Sequence, residues 1–117
     1  MHFSSVALAD LDRADAATLD GLPFGTVGLN RANEVEVYSA AEARMAGLSR
    51  DTVLGRHFFT AVAPCMNNRL VAQRFEDEPS LDAAVDYVLT FRMRPTPVKV
   101  RLLQEPDAPR RYILIQR

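Results

Sequence analysis

A chain of 117 residues is long enough to bury one hydrophobic core and too short for two, so a single domain spanning 1–117 is expected. With 48% apolar residues and 14 basic against 15 acidic side chains, it has neither the net field nor the basic run that would hold nucleic acid. The lone cysteine cannot form an internal disulfide, and with two histidines it falls short of any standard zinc spacing.

The opening MHFSSVALADLD lacks a charged n-region and its apolar run breaks at Asp10, so no signal peptide is expected. No run of about 18 apolar residues suggests a membrane span, and the expected compartment is the cytoplasm. Ala9 to Leu19 reads as one short, weakly amphipathic helix capped by Asp10. After the GLPFG turn, TVGLN and EVEVYS read as paired strands around NRAN, where asparagine tolerates positive φ. SAAEARMAG predicts a helix with Ser39 as its cap, Glu42 placed as in a capping box, and Gly47 as its stop.

SRDTVLGRHFF repeats the pattern with Ser49 and Gly55, and Phe58 to Ala63 form an apolar turn ended by Pro64. NNRLVAQRFEDEPS places Leu70, Val71 and Phe75 on one side of a helix that Pro79 ends. AAVDYVLTFRMRP, TPVKVRLLQ and RRYILIQR read as strands; in the first, Tyr87, Leu89, Phe91 and Met93 alternate with Val88, Thr90, Arg92 and Arg94. The sum is an α+β domain, an antiparallel five-stranded sheet with short helices on one face. That order of elements is similar to a PAS-type sensor domain.

Tyr38, Glu42 and Ala46 are four apart, so a helical backbone puts them on one face. Tyr38 reads as a core aromatic and Glu42 as half of a capping box; alternatively both face inward, where a carboxyl away from cations becomes a proton donor near neutral pH. Cys65 reads as an inert buried thiol, as an incidental surface thiol, or as a nucleophile near the positive end of a helix opened by MNNRL. His57, eight residues upstream in an apolar helix, is a poor base for it, and no oxyanion-hole motif accompanies the pair, which argues against a hydrolase. Arg50, Arg56 and the PRR near the end read as solvated charge.

LDGLPFG, YSAAE, the glycine, paired phenylalanines and VAPC between Gly55 and Cys65, and FRMRPTPVKV together resemble the photoactive yellow protein family, from about residue 19 onward. The resemblance implies a PAS fold with an N-terminal helical cap over 1–19 and a core over 20–117. It implies a blue-light photoreceptor, not an enzyme, carrying p-coumaric acid (4-hydroxycinnamic acid) as a thioester on Cys65. In the family a tyrosine and a protonated glutamic acid hold the phenolate oxygen, and these fall on Tyr38 and Glu42.

By the same resemblance Phe58, Val62, Ala63, Phe91 and Met93 are pocket walls, Met93 assisting return to the dark isomer. Ala46 stands where the family commonly has threonine, and Leu48 where it commonly has a shielding arginine. The cap and the Cys65 to Val85 connection are shorter than usual. Light isomerisation followed by proton transfer from the glutamic acid would loosen the fold as the signal to a downstream protein, in a monomer or weak dimer. The alternative is a PAS-type ligand-binding or interaction module without chromophore.

Overall fold

The computed structural model describes residues 1–90 and 94–117. The first hairpin follows from its turn: the Asn30 side-chain oxygen accepts from the backbone N–H groups of Ala32 and Glu34, both at 2.9 Å, and Asn33 takes φ 63°. That turn joins β1 (Gly25–Leu29) to β2 (Val35–Tyr38). The later strands are β3 (Leu81–Leu89), β4 (Thr96–Gln104) and β5 (Arg111–Gln116), and the sheet runs β2-β1-β5-β4-β3, antiparallel throughout. β3 therefore starts two residues earlier than the sequence pattern suggested.

In central β5, Ile113 and Ile115 join the core beneath the helices, while Tyr112 and Leu114 join a second core on the opposite face. That second core is capped by the N-terminal segment, through Phe3, Val6, Leu11, Leu19 and Leu22. An inner strand of a sheet covered on both faces is apolar throughout, as YILI is.

The cap is two helices, α1 (Leu8–Arg13) and α2 (Ala16–Asp20), rather than the single expected one. Asp10 is not the cap residue; it sits inside α1 and its carboxylate accepts from the Ala7 N–H at 3.1 Å. Asp15 caps α2 by accepting from the Thr18 N–H at 2.8 Å, and a fresh cap five residues into a pattern restarts a helix instead of continuing it.

On the other face lie α3 (Ala40–Ala46), α4 (Arg50–Val53) and α5 (Ala72–Asp77). Ser39 caps α3 and Gly47 ends it at φ 70°, as expected. The Ser49 side chain makes no cap bond. Val71 and Phe75 are buried, but Leu70 precedes α5 and is 53% exposed, so it does not share their face.

Arg101 ties the cap to the sheet. It pairs across the sheet with Leu114 on the cap side, where its buried Nη1 donates to the Phe3 and Val6 carbonyls at 2.9 and 2.7 Å. Its Nη2 donates to Asp82 at 2.7 Å. A buried cation is tolerated only with such partners.

Arg101→Met should lower urea stability by about 3 kcal/mol, and the amides of Val6 and Leu11 should exchange faster relative to those of β5. Equal acceleration everywhere would show that Arg101 supports the whole fold and not the cap. A methyl group at Gly28 would sit 2.9 Å from Val37 Cβ and 3.0 Å from Tyr112 Cε1. Gly28→Ala should therefore cost about 1–3 kcal/mol in denaturant unfolding.

Candidate functional site

Glu42 is placed by α3 and its cap. Ser39 Oγ accepts from the Glu42 N–H at 3.3 Å and from the Thr26 N–H at 3.0 Å, which anchors the helix start to β1. Asp20 adds a second anchor, accepting from the Ala40 N–H at 3.1 Å and from Arg50 at 2.8 Å. The Glu42 side chain then turns inward over Gly25, where a methyl group would overlap its carboxyl. Glycine at that position is what leaves room for the acid.

Glu42 is 1% exposed and Tyr38, the last residue of β2, is 3% exposed. The capping-box reading of Glu42 is thus replaced by the inward one. Ala46, next on the same helical face, is also buried.

The Glu42 carboxylate is not alone. Arg117, just beyond β5, donates to it twice, Nη1 to Oε1 at 2.7 Å and Nη2 to Oε2 at 3.1 Å. The geometry is the parallel two-pronged grip of guanidinium on carboxylate. Burial pushes the Glu42 carboxyl up from its ordinary range, and the Arg117 guanidinium pulls it back without cancelling the shift. Burial likewise raises the Tyr38 phenol, the Glu42 charge adds to that, and Arg117 opposes it. Tyr38, Glu42 and Arg117 therefore form one electrostatic unit.

Arg117 was not among the residues singled out from sequence. The signal was available: counting along β5, Arg117 falls on the same side as Ile113 and Ile115, the helix-covered face.

Cys65 is half-buried within the 3₁₀ turn Pro64–Met66, which follows a π-helical turn closed by the Ala63 N–H donating to the Phe58 carbonyl at 2.7 Å. α5 begins only at Ala72, so Cys65 does not lie at a helix N-terminus as expected. Instead its backbone is gripped: Tyr87 Oη and Asn68 Nδ2 both donate to the Cys65 carbonyl, the latter at 3.1 Å.

Cys65 and Leu48 are packed against the core that contains Tyr38, Phe58, Val62 and Ala63, so these sequence candidates share one side of the sheet. Phe91 and Met93 lie outside the described residues. His57 lies outside any apolar helix; it forms an isolated bridge with Glu34 and precedes the π turn.

Of the arginines read as solvated charge, Arg50 pairs with Asp20 at 2.8 Å. Arg111 is half-buried, stacked 5.3 Å from the Phe75 ring centre and donating to Asn33 at 3.0 Å. Among the described residues no cluster of histidine, cysteine or carboxylate could hold a metal, and no helix is long and apolar enough to cross a membrane.

A groove of about 860 Å³ opens at the end of the sheet, lined by Asn68, Tyr87, Val98 and Arg117 among others. That volume is within the range of small-molecule sites. The groove reaches Cys65 through Asn68 and Tyr87, and Glu42 through Arg117, rather than touching either directly. A phenol, a protonated carboxyl and a guanidinium can all donate to an anionic oxygen, so the donor set suits a buried anionic oxygen.

The PAS fold family matches residues 14–115. The chain is 32% identical over 114 residues to the photoactive yellow protein of Rhodothalassium salexigens, covering 95% of this chain and 89% of the relative. It is 33% identical to the photoactive yellow protein of Halochromatium salexigens, over 87% of this chain and 85% of that one. Its structure superposes on the photoactive yellow protein domain of the sensor histidine kinase Ppr from Rhodospirillum centenum. The TM-score there is 0.84 at 32% identity, covering 93% of this chain and 98% of that domain.

The PAS domain of an HTR-like protein from Haloarcula marismortui, with TM-score 0.65 and 17% identity over 93% of this chain and 94% of that one, shares the fold alone. With fold and sequence agreeing over nearly the whole length, the chain belongs to the photoactive yellow protein family and has its PAS fold.

Proposed function

We propose that this chain is a blue-light photosensor carrying p-coumaric acid as a thioester on Cys65, with Tyr38 and Glu42 holding the phenolate oxygen. The observation that carries this reading is the Glu42 carboxyl, 1% exposed and turned inward within electrostatic reach of Tyr38. A buried acid beside a buried phenol is the donor pair such an oxygen requires, and burial favours the neutral, donating form of the carboxyl. When bound, the chromophore supplies a double bond that light isomerises and an oxygen that can accept a proton.

The chain's own residues do the rest. Cys65 provides the only thiol, held in position through its carbonyl by Tyr87 and Asn68. Tyr38, whose phenol is kept protonated by burial, donates a hydrogen bond. Glu42 in its neutral form donates a second, and in the lit state gives up its proton. The carboxylate created in the core competes with a domain stability of about 5–15 kcal/mol. The segment released first would be the cap, which is tied to the sheet by Arg101 and by apolar contacts with its outer face.

Ala46 brings no hydroxyl to the site and Leu48 no charge, so the tuning of phenol and colour falls to Tyr38, Glu42 and their neighbours. Phe58, Val62 and Ala63 supply apolar walls, and Phe91 and Met93 are proposed to complete them. The molecule would act in the cytoplasm, as a monomer or weak dimer, by binding a downstream signalling protein.

Co-expression with a p-coumaroyl-activating system should give a yellow protein whose mass rises by one adduct, with colour and adduct lost in Cys65→Ser. A colourless, unmodified wild-type chain would refute the photosensor reading and favour an unloaded PAS module. Glu42→Gln should keep the pigment, shift its absorption and remove the deprotonation step, because an amide donates a hydrogen bond but cannot give up a proton in this range.

Glu42 also predicts a pH dependence. Its folded carboxyl lies above its ordinary 4.5, so the folded chain binds more protons than the unfolded one between the two midpoints. In the chromophore-free chain this contribution makes stability decline as pH rises through that window. The decline should be missing in Glu42→Gln, as read by urea midpoints across pH; the same slope in both would show that Glu42 is not the group responsible.

A further inference from the structure

The photosensor reading makes Glu42 a neutral donor, yet the structure holds it in a two-pronged grip by a cation. The pair is enclosed, with side-chain exposures of 12% for Arg117 and 2% for Glu42. Among the described residues, the groups that face it are few. From β2 comes Tyr38, from the end of β5 comes Arg117, and β1 contributes the uncharged Gly25. Asp20, which ends α2 and accepts from the Ala40 N–H at the start of α3, is paired with Arg50 of α4.

We propose that Arg117 is the built-in counter-ion of this site and sets the charge of Glu42, holding it as a carboxylate in the chromophore-free chain. Burial and Arg117 pull Glu42 in opposite directions, so deleting the cation leaves burial alone and Glu42 holds its proton to higher pH. When a phenol enters the site, Arg117 can neutralise the phenolate that forms in place of the Glu42 carboxylate. Glu42 can then accept a proton and become the donor that the photosensor reading needs. The proton is conserved: the O–H bond broken on the incoming phenol is replaced by the one formed on the Glu42 carboxyl, and the negative charge passes the other way. This consequence rests on the photosensor reading, whereas the ion pair itself does not.

The test is a titration of the full chromophore-free chain by NMR of isotope-labelled glutamate carboxyl groups, with Glu42 assigned by its loss in Glu42→Gln. In Arg117→Gln the Glu42 midpoint should rise by about one pH unit or more, a tenfold gain in proton affinity. An unchanged midpoint overturns the proposal. In the wild-type chain the Arg117 side-chain N–H signals should shift with the same midpoint as Glu42. Independent titration of the two overturns the proposal even where Arg117→Gln fails to fold. If Cys65 takes up no chromophore, the photosensor reading fails, while these titrations still decide the role of Arg117.

Discussion

The structure turns on one constraint: a carboxyl group, Glu42, is held almost wholly out of water on the first turn of a short helix. Everything around it answers that burial. Gly25 leaves the space, Ser39 and Asp20 fix the helix start, Tyr38 offers a phenol alongside, and Arg117 supplies the opposite charge. Burial and the cation act on the same proton in opposite directions, so its affinity is set by small changes in either. An acid balanced in this way is suited to changing state when a neighbour changes charge.

The second constraint is mechanical. The sheet has no wet face at its centre, because β5 sends Ile113 and Ile115 to the helices and Tyr112 and Leu114 to the cap. Arg101 crosses from β4 to the backbone of the cap, so the cap is attached by a charged group as well as by apolar contact. Arg117 reaches the site from the end of the strand adjoining β4. Glu42 is thus joined through Arg117 to the end of a strand whose opposite face carries the cap, a short physical route from the site to the segment it is proposed to release.

Much of this was legible from residues. The asparagine turn, the Ser39 cap, the Gly47 stop and the proline and cysteine after the apolar turn each have local causes, and they appear where the pattern placed them. What was not legible depends on partners distant in sequence. Glu42 at the third helical position satisfies a capping-box pattern equally well, and only the sheet beneath α3, with Arg117 on it, decides that it turns inward. Arg101 and Arg111 look like ordinary alternating strand charges, yet one is buried under the cap and the other lies on Phe75. The cap broke into two helices because Asp15 competes successfully with Asp10 for the capping role. The family resemblance supplied what local pattern could not, the reason for a lone thiol at Cys65.

The central claim is that Glu42 carries the proton that light moves. The most direct measurement is the infrared difference spectrum between dark and illuminated pigment-loaded protein, compared with Glu42→Gln. The account predicts that illumination removes a carboxylic-acid carbonyl band and that this loss is absent from the variant. A band that persists in the light, or a loss that survives the substitution, would contradict it.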